Sequence, residues 1–167
     1  MNPKTTKKTR AYEVIKKATV YDIPPSLFII SYAEFLKKSR QIEIPSWINI
    51  IKTGTHRKNA PYDQNWFYYR LASLARKFYI RGGKGVGGLR KIYGGKKRGG
   101  CKKAKKKSAG GKLIRFALVQ LEKLKIIQIN YLYRRCITHK AQHDMDLRAK
   151  KILDLRAKKI FMFRRSL

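Results

Sequence analysis

"APYDQNWFYYRLASLARKFYIRGG", residues 60–83, is the stretch whose reading sets the fold. Asp63 stands where an N-cap belongs, and Gly82 and Gly83 end the element. Between them Phe67, Leu71, Leu74 and Phe78 fall at i, i+4, i+7 and i+11, a single apolar stripe of an α-helix, and are assigned to the core. Arg70, Lys77 and Arg81 repeat that spacing on an adjacent stripe, with Trp66 one turn before Arg70. A basic, aromatic face therefore runs beside the buried one. Helices that are merely solvated interleave acids with their bases at i+4. From Gln64 to Leu121 there is no Asp or Glu at all, against 17 Lys or Arg.

Upstream, "DIPPSLFIISYAEFLKKSR" (residues 22–40) places Pro24 and Pro25 where prolines are tolerated, in a first helical turn, and predicts a helix from about Pro25 to Lys38. Pro45 opens a short helix in which Trp47, Ile50 and Ile51 are assigned to the core. Downstream, residues 82–112 hold 11 of the 12 glycines and the densest charge, including "KKRGGCKKAKKKSAGGK". Little in it can bury apolar area beyond Val86, Leu89, Ile92 and Tyr93, so it reads as a Gly/Lys-rich loop, irregular until a partner orders it. A helix resumes near Gly111, with Ile114, Ala117, Leu118, Leu121 and Leu124 on one face. "IIQINYLYRRCI" (residues 126–137) reads as a small hairpin about Asn130 and Tyr131. Thr138 caps a last helix, within which "DLRAKKI" occurs at Asp146–Ile152 and again at Asp154–Ile160. The eight-residue shift continues one helix while rotating its face. The order is that of a mainly α, winged helix-turn-helix-like helical domain with a small β-hairpin. Residues 19–160 form that single domain, residues 1–18 a basic extension and residues 161–167 a basic tail.

Charge bounds the function. Lys and Arg number 42 against nine Asp and Glu, a formal net charge of +33 over 167 residues, and a compact domain so charged expects a polyanionic partner. Apolar runs such as Leu27–Ile30 are far too short to span a bilayer, and the start "MNPKTTKKTR" has no apolar stretch after it, so neither a membrane span nor a secretory signal is expected. Gly83, Gly85 and Gly88 satisfy G-x-G-x-x-G, but an amphipathic helix precedes them where a strand should, and no helix opens directly after them. The dinucleotide reading fails, and no P-loop motif occurs. Cys136, His139 and His143 give only three zinc-type ligands, and Cys101 offers a distant fourth, so no metal site is assigned. The nine acids are scattered and make no acid/base pair. No catalytic residue, cofactor or small-molecule substrate is expected. The glycines instead let backbone N–H groups approach phosphates that the neighbouring Lys and Arg neutralise. On this reading the contacts come from Arg70, Lys77 and Arg81 on the helix. The loop adds Lys84, Arg90, Lys91, Lys96, Lys97, Arg98, Lys102, Lys103, Lys105, Lys106, Lys107 and Lys112.

The segments "FLKKSRQIEIPSWI", "APYDQNWFYYRLASLARKFYIRGGKGVGGLRKIYGGKKRGG" and "LVQLEKLKIIQ" resemble the signature segments of ribosomal protein nineteen of the eukaryotic and archaeal small subunit. The resemblance covers roughly Thr19 to Ile160. It implies a place in the head of the small subunit, contact with small-subunit rRNA and neighbouring ribosomal proteins, a requirement in subunit maturation, and a cytoplasmic location with nucleolar assembly if the source is eukaryotic. It adds Trp66, Arg76, Tyr93 and Arg115 to the rRNA-facing set, with Arg76 off the Arg70 stripe. Departures from the family's pattern are the lysine-rich "CKKAKKKSAGGK", a hairpin without the usual glycine turn, and longer, more basic ends. The competing functions are a winged-helix DNA-binding regulator and a ribosome-assembly factor that leaves before the subunit matures. The first suits the residues poorly, because the helix from Gly111 is largely apolar where a groove-reading helix would be polar.

Overall fold

The computed structural model describes residues 18–132 and 134–165, the last of these, 159–165, by backbone alone. Most of the basic extension, residues 1–17, lies outside the described residues. Helix α1 (Pro25–Ser39) has Pro25 in its first turn and ends where Arg40 adopts a left-handed conformation, φ 51°, its N–H donating to the Lys37 carbonyl. Phe28, Tyr32, Ala33 and Leu36 form its buried face. A single 3-10 turn follows at Ser46–Asn49. Because it stops at Asn49, Ile48 is the residue that turns inward, and Ile50, expected in the core, is 83% exposed.

Helix α2 (Trp66–Ile80) buries Phe67, Leu71, Leu74 and Phe78 as their spacing requires, together with Trp66, Ala72 and Ala75. Its N-cap position is held by Asn65 rather than Asp63. The Asp63 carboxylate accepts the Asn65 N–H at 2.8 Å and so braces the turn that leads into the helix. Helices α1 and α2 pack on each other, and α2 packs on α4 (Gly111–Lys123), whose inner face is Leu113, Ile114, Ala117, Leu118 and Leu121. Fully burying each Leu, Ile or Phe of this three-helix core contributes about 1.5–3 kcal/mol.

Strands β3 (Ile127–Ile129) and β4 (Arg135–Ile137) pair antiparallel in the register Ile127 with Ile137 and Ile129 with Arg135, forming the wing. Helix α5 (His139–Arg165) begins as expected after Thr138, whose hydroxyl accepts the Ala141 N–H, and it runs through most of the residues assigned to the basic tail. Met145 and Ala149 are buried, the helix packing on α1, while Ala157, the counterpart of Ala149 in the second "DLRAKKI", is exposed, the rotation of face that an eight-residue repeat imposes. Asp146 ties the layers together. Its Oδ1 accepts the Tyr79 hydroxyl of α2 at 2.7 Å and the backbone N–H of Val20 at 3.3 Å. The fold is mainly α and winged-helix-like.

The expectation of an irregular loop at 82–112 is corrected by the structure. Val86–Ile92 is a short helix, α3, and β1 (Gly95–Gly99) and β2 (Lys102–Lys107) form a second antiparallel hairpin. Its reversal is helped by Gly100 at φ 65°. The few apolar residues suffice because they are concentrated at one point: Leu89 is 1% exposed, and Val86 and Tyr93 pack beside it. The base of the hairpin is then closed by backbone bonds, Ala109 N–H to the Arg90 carbonyl at 3.0 Å and Gly110 N–H to the Thr53 carbonyl at 2.9 Å.

Candidate nucleic-acid interface

The second hairpin carries the greatest density of charge, and no carboxylate among the described residues pairs with it. Its register sets Lys97 opposite Lys105 on one face and Lys96 opposite Lys106 on the other. Like charges directly opposite repel. All four are exposed, as are Arg98, Lys102, Lys103 and Lys107. Two glycines dock the hairpin. A Cβ on Gly94 would stand 2.5 Å from the Lys107 carbonyl oxygen, and one on Gly95 would stand 2.8 Å from the His56 ring, so only bare backbone lets the hairpin seat this closely.

Above the hairpin, α2 presents its cations in two places rather than on one stripe. Arg70 and Lys77 share a helical angle, but seven residues separate them by about 10 Å along the axis. Arg70 is half-buried, its guanidinium 4.3 Å over the Tyr93 ring, and the Tyr93 hydroxyl is 2.8 Å from that of Ser73. Burial holds the Arg70 pKa below its ordinary value, Tyr93 partly offsets this, and nearby Arg57 lowers it further. Arg70 lines an open cleft of about 440 Å³ with Thr53, Arg57, Lys58, Asn59 and Tyr62. The second group lies at the other end of the helix. There Arg76, Lys77, Arg81 and Lys84 line a cleft of about 400 Å³. The Arg76 Nε is buried without a hydrogen-bond partner among the described residues, and burial lowers this guanidinium too. Arg76, which the helical wheel sets off the stripe, thus joins Lys77 and Arg81, whereas Arg70 is separated from them.

Besides Arg70, other predicted contact residues have internal partners. Trp66 is buried, its ring edge-on to Phe67 at 6.1 Å. Tyr93 supports Arg70 from below. Arg90 donates through Nε to the Ala109 carbonyl at 3.1 Å and through its terminal nitrogen to Ser108 Oγ at 3.2 Å, so its guanidinium clamps the hairpin to α3. Lys112, exposed at the start of α4, lies 4.9 Å over the Trp47 ring, which meets Phe116 edge-on. Arg115 and Lys91 are exposed. Arg57, Lys58 and Tyr62 were not assigned from sequence. The only signal for them was the short polar run before α2, "THRKNAPYD", too brief to show which way its side chains turn.

Among the described residues the ion pairs are Glu43 with Lys123 and Glu122 with Arg135, both at the C-terminal part of α4 or the wing. The cations of α2, α3 and the lysine hairpin have no carboxylate partner there. No described group of three His, Cys, Asp or Glu side chains is placed to hold a metal ion, and no described helix is long and apolar enough to cross a membrane.

Fold and surface together define a class: a mainly α, winged-helix-like domain bearing a broad cationic face that the described acids leave unneutralised. The family follows from the sequence. Residues 19–155 match the model of ribosomal protein S19e. Small ribosomal subunit protein eS19 of Dictyostelium discoideum is 43% identical over 135 residues, covering 80% of this chain and 91% of that protein. The protein of the same name from Oryza sativa subsp. japonica is 40% identical over 134 residues, covering 80% and 92%. Small ribosomal subunit protein eS19A of Schizosaccharomyces pombe is 39% identical over 128 residues, covering 77% and 89%. The chain belongs to the ribosomal protein S19e family and is a structural, non-enzymatic component of the ribosome.

Proposed function

We propose that the chain is a structural constituent of the head of the small ribosomal subunit, that it binds small-subunit rRNA, and that it supports subunit maturation and translation. The observation that carries this reading is the acid-free cationic face from Arg70 to Arg115, with Arg70 and Arg76 half-buried and unpaired by any described carboxylate. Desolvated guanidiniums are held ready for bidentate contacts to phosphate. The lysine hairpin supplies sequence-independent contacts to the backbone, and the positions of Arg70 and Arg76 in separate clefts suit two stretches of one folded RNA. Residues 19–160 act as one domain, and the basic ends 1–18 and 161–167 add phosphate contacts. Neighbouring small-subunit proteins complete the partner set. The protein works in the cytoplasm, with assembly in the nucleolus if the source is eukaryotic.

Sedimentation of a gently lysed cell extract, before and after a high-salt wash, tests the reading. Migration with mature small subunits, whole ribosomes and polysomes, resisting salt, is expected. Confinement to precursor particles would make the protein a transient assembly factor, and absence from every ribosomal fraction would favour the DNA-binding class.

A further inference from the structure

The geometry points to a second, more selective element in this surface: the cleft between residues 53–62 and α2 is a site for a single unpaired nucleotide of RNA, its phosphate held between Arg57 and Arg70 and its base stacked on Tyr62. This inference rests on the rRNA-binding reading and goes beyond it, since backbone contacts alone do not distinguish paired from unpaired RNA.

Three observations converge. Arg57 and Arg70 line one cleft and lie near enough for Arg57 to depress the Arg70 guanidinium, with no acid among the described residues lining it. Asp63 lines the neighbouring cleft instead, and its Oδ1 is engaged by the Asn65 N–H. Two cations facing each other across open space are satisfied by one bridging anion. Secondly, Tyr62 stands at the rim 92% exposed, although an aromatic side chain ordinarily buries its ring. It is nevertheless restrained, because Asn59 Nδ2 donates to its hydroxyl at 3.3 Å and Pro61 precedes it. A fixed, exposed aromatic beside a phosphate clamp is the arrangement that stacks a base. Thirdly, the cleft of about 440 Å³ lies within the roughly 300–1,000 Å³ of small-ligand sites, room enough for one nucleotide. Bases in an A-form helix present no free face to a protein ring, so the occupant is a bulged or loop nucleotide.

The test uses the full chain and two RNA hairpins, one fully paired and one identical but for a single bulged 2-aminopurine. Wild-type protein is expected to prefer the bulged hairpin by about 5- to 100-fold, the worth of one base stack, with a change in 2-aminopurine fluorescence on binding. Tyr62→Ala should abolish the preference and the fluorescence change while binding the paired hairpin as before, and Tyr62→Phe, which keeps the ring but loses the Asn59 hydrogen bond, should retain both in reduced degree. Arg57→Ala should weaken the bulged complex more than the paired one. Because Tyr62 is exposed, an unchanged melting curve will show that the variant folds. Equal wild-type affinity for the two hairpins, or a preference that survives Tyr62→Ala, overturns the nucleotide site while leaving rRNA binding intact. Displacement by free AMP at concentrations that leave the paired complex untouched overturns RNA as the source of the nucleotide. Failure to bind either hairpin overturns the rRNA-binding reading itself.

Discussion

Neutralising the cross-strand lysines of the second hairpin should move stability and affinity in opposite directions. Lys105 faces Lys97, and Lys106 faces Lys96, on opposite faces of the ribbon. Taking the ammonium groups of each pair at about 6 Å, the repulsion is about 0.7 kcal/mol in water. Screening over a Debye length of about 8 Å at physiological salt reduces it to about 0.3 kcal/mol. The double substitution Lys105→Ser, Lys106→Ser removes both repulsions, about 0.6 kcal/mol, and should raise the Tm of the free protein by about 2 °C. In 1 M salt, where the Debye length shrinks to about 3 Å, that gain should vanish. RNA binding should weaken, and the slope of log K against log salt should flatten by about 0.7–0.9 for each phosphate the variant no longer neutralises. Differential scanning calorimetry and a salt titration by fluorescence anisotropy read the two effects. A lower Tm at low salt would show that these lysines hold the hairpin together, and an unchanged salt slope would remove it from phosphate; either result refutes the argument.

Gly94→Ala should drive a Cβ into the Lys107 carbonyl and loosen the hairpin from α3 by about 1–3 kcal/mol, seen as faster amide exchange over residues 95–107 with the α1–α2–α4 core unchanged. Tyr79 donates to Asp146, and burial, then Asp146, pushes its pKa up to about 12 from 10.0. The protonated phenol therefore stabilises the fold fully below pH 10 and loses that contribution as the pH climbs toward 12. Tyr79→Phe should lower stability at pH 7 by about 1 kcal/mol, and the gap in Tm should narrow over pH 10–12; a constant gap would mean the hydroxyl is not coupled to folding. Arg70→Glu or Arg76→Glu should block stable incorporation into small subunits while the isolated domain keeps its far-UV circular dichroism, and normal incorporation would take that residue off the binding surface.

What could be read from sequence was whatever periodicity controls. The stripe Phe67, Leu71, Leu74, Phe78 and the face of α4 were legible because burial must repeat with the helix, and Thr138 because a capping hydroxyl precedes its helix locally. The lysine hairpin was not, since no alternation of apolar and polar residues marks "KKAKKK" as a strand. Its pairing is imposed at its base from both flanks of the chain, by the buried Leu89 of α3 before β1 and by the backbone bonds at Ala109 and Gly110 after β2. Helical angle set Arg76 off the Arg70 stripe, and the two do lie in separate clefts, but it also grouped Lys77 and Arg81 with Arg70 because a wheel ignores distance along the axis. Trp66 fell between the two kinds of information: its sequence position beside Arg70 reads as binding surface, and its ring fills the core.

The placement of the anchors explains why so charged a hairpin can fold before its partner arrives. Repulsion between lysines across a two-stranded ribbon is a few tenths of a kcal/mol per pair, whereas burying Leu89 at its base is worth several times that. Apolar fixation at one end and charge at the other are therefore separable. The α3 end answers to the core, through Leu89, Tyr93 and the Arg90 clamp, and the distal end answers to salt and phosphate alone. A ribbon held at its base loses less conformational entropy on binding than a free loop of the same composition, so each phosphate contact is converted more fully into affinity. The same reasoning applies to Arg70, whose stacking on Tyr93 removes side-chain freedom in advance and leaves its guanidinium fixed in the cleft with Arg57. On the proposed rRNA-binding reading, ordering of the interface is met by the protein's own packing, and the RNA would supply the missing charge.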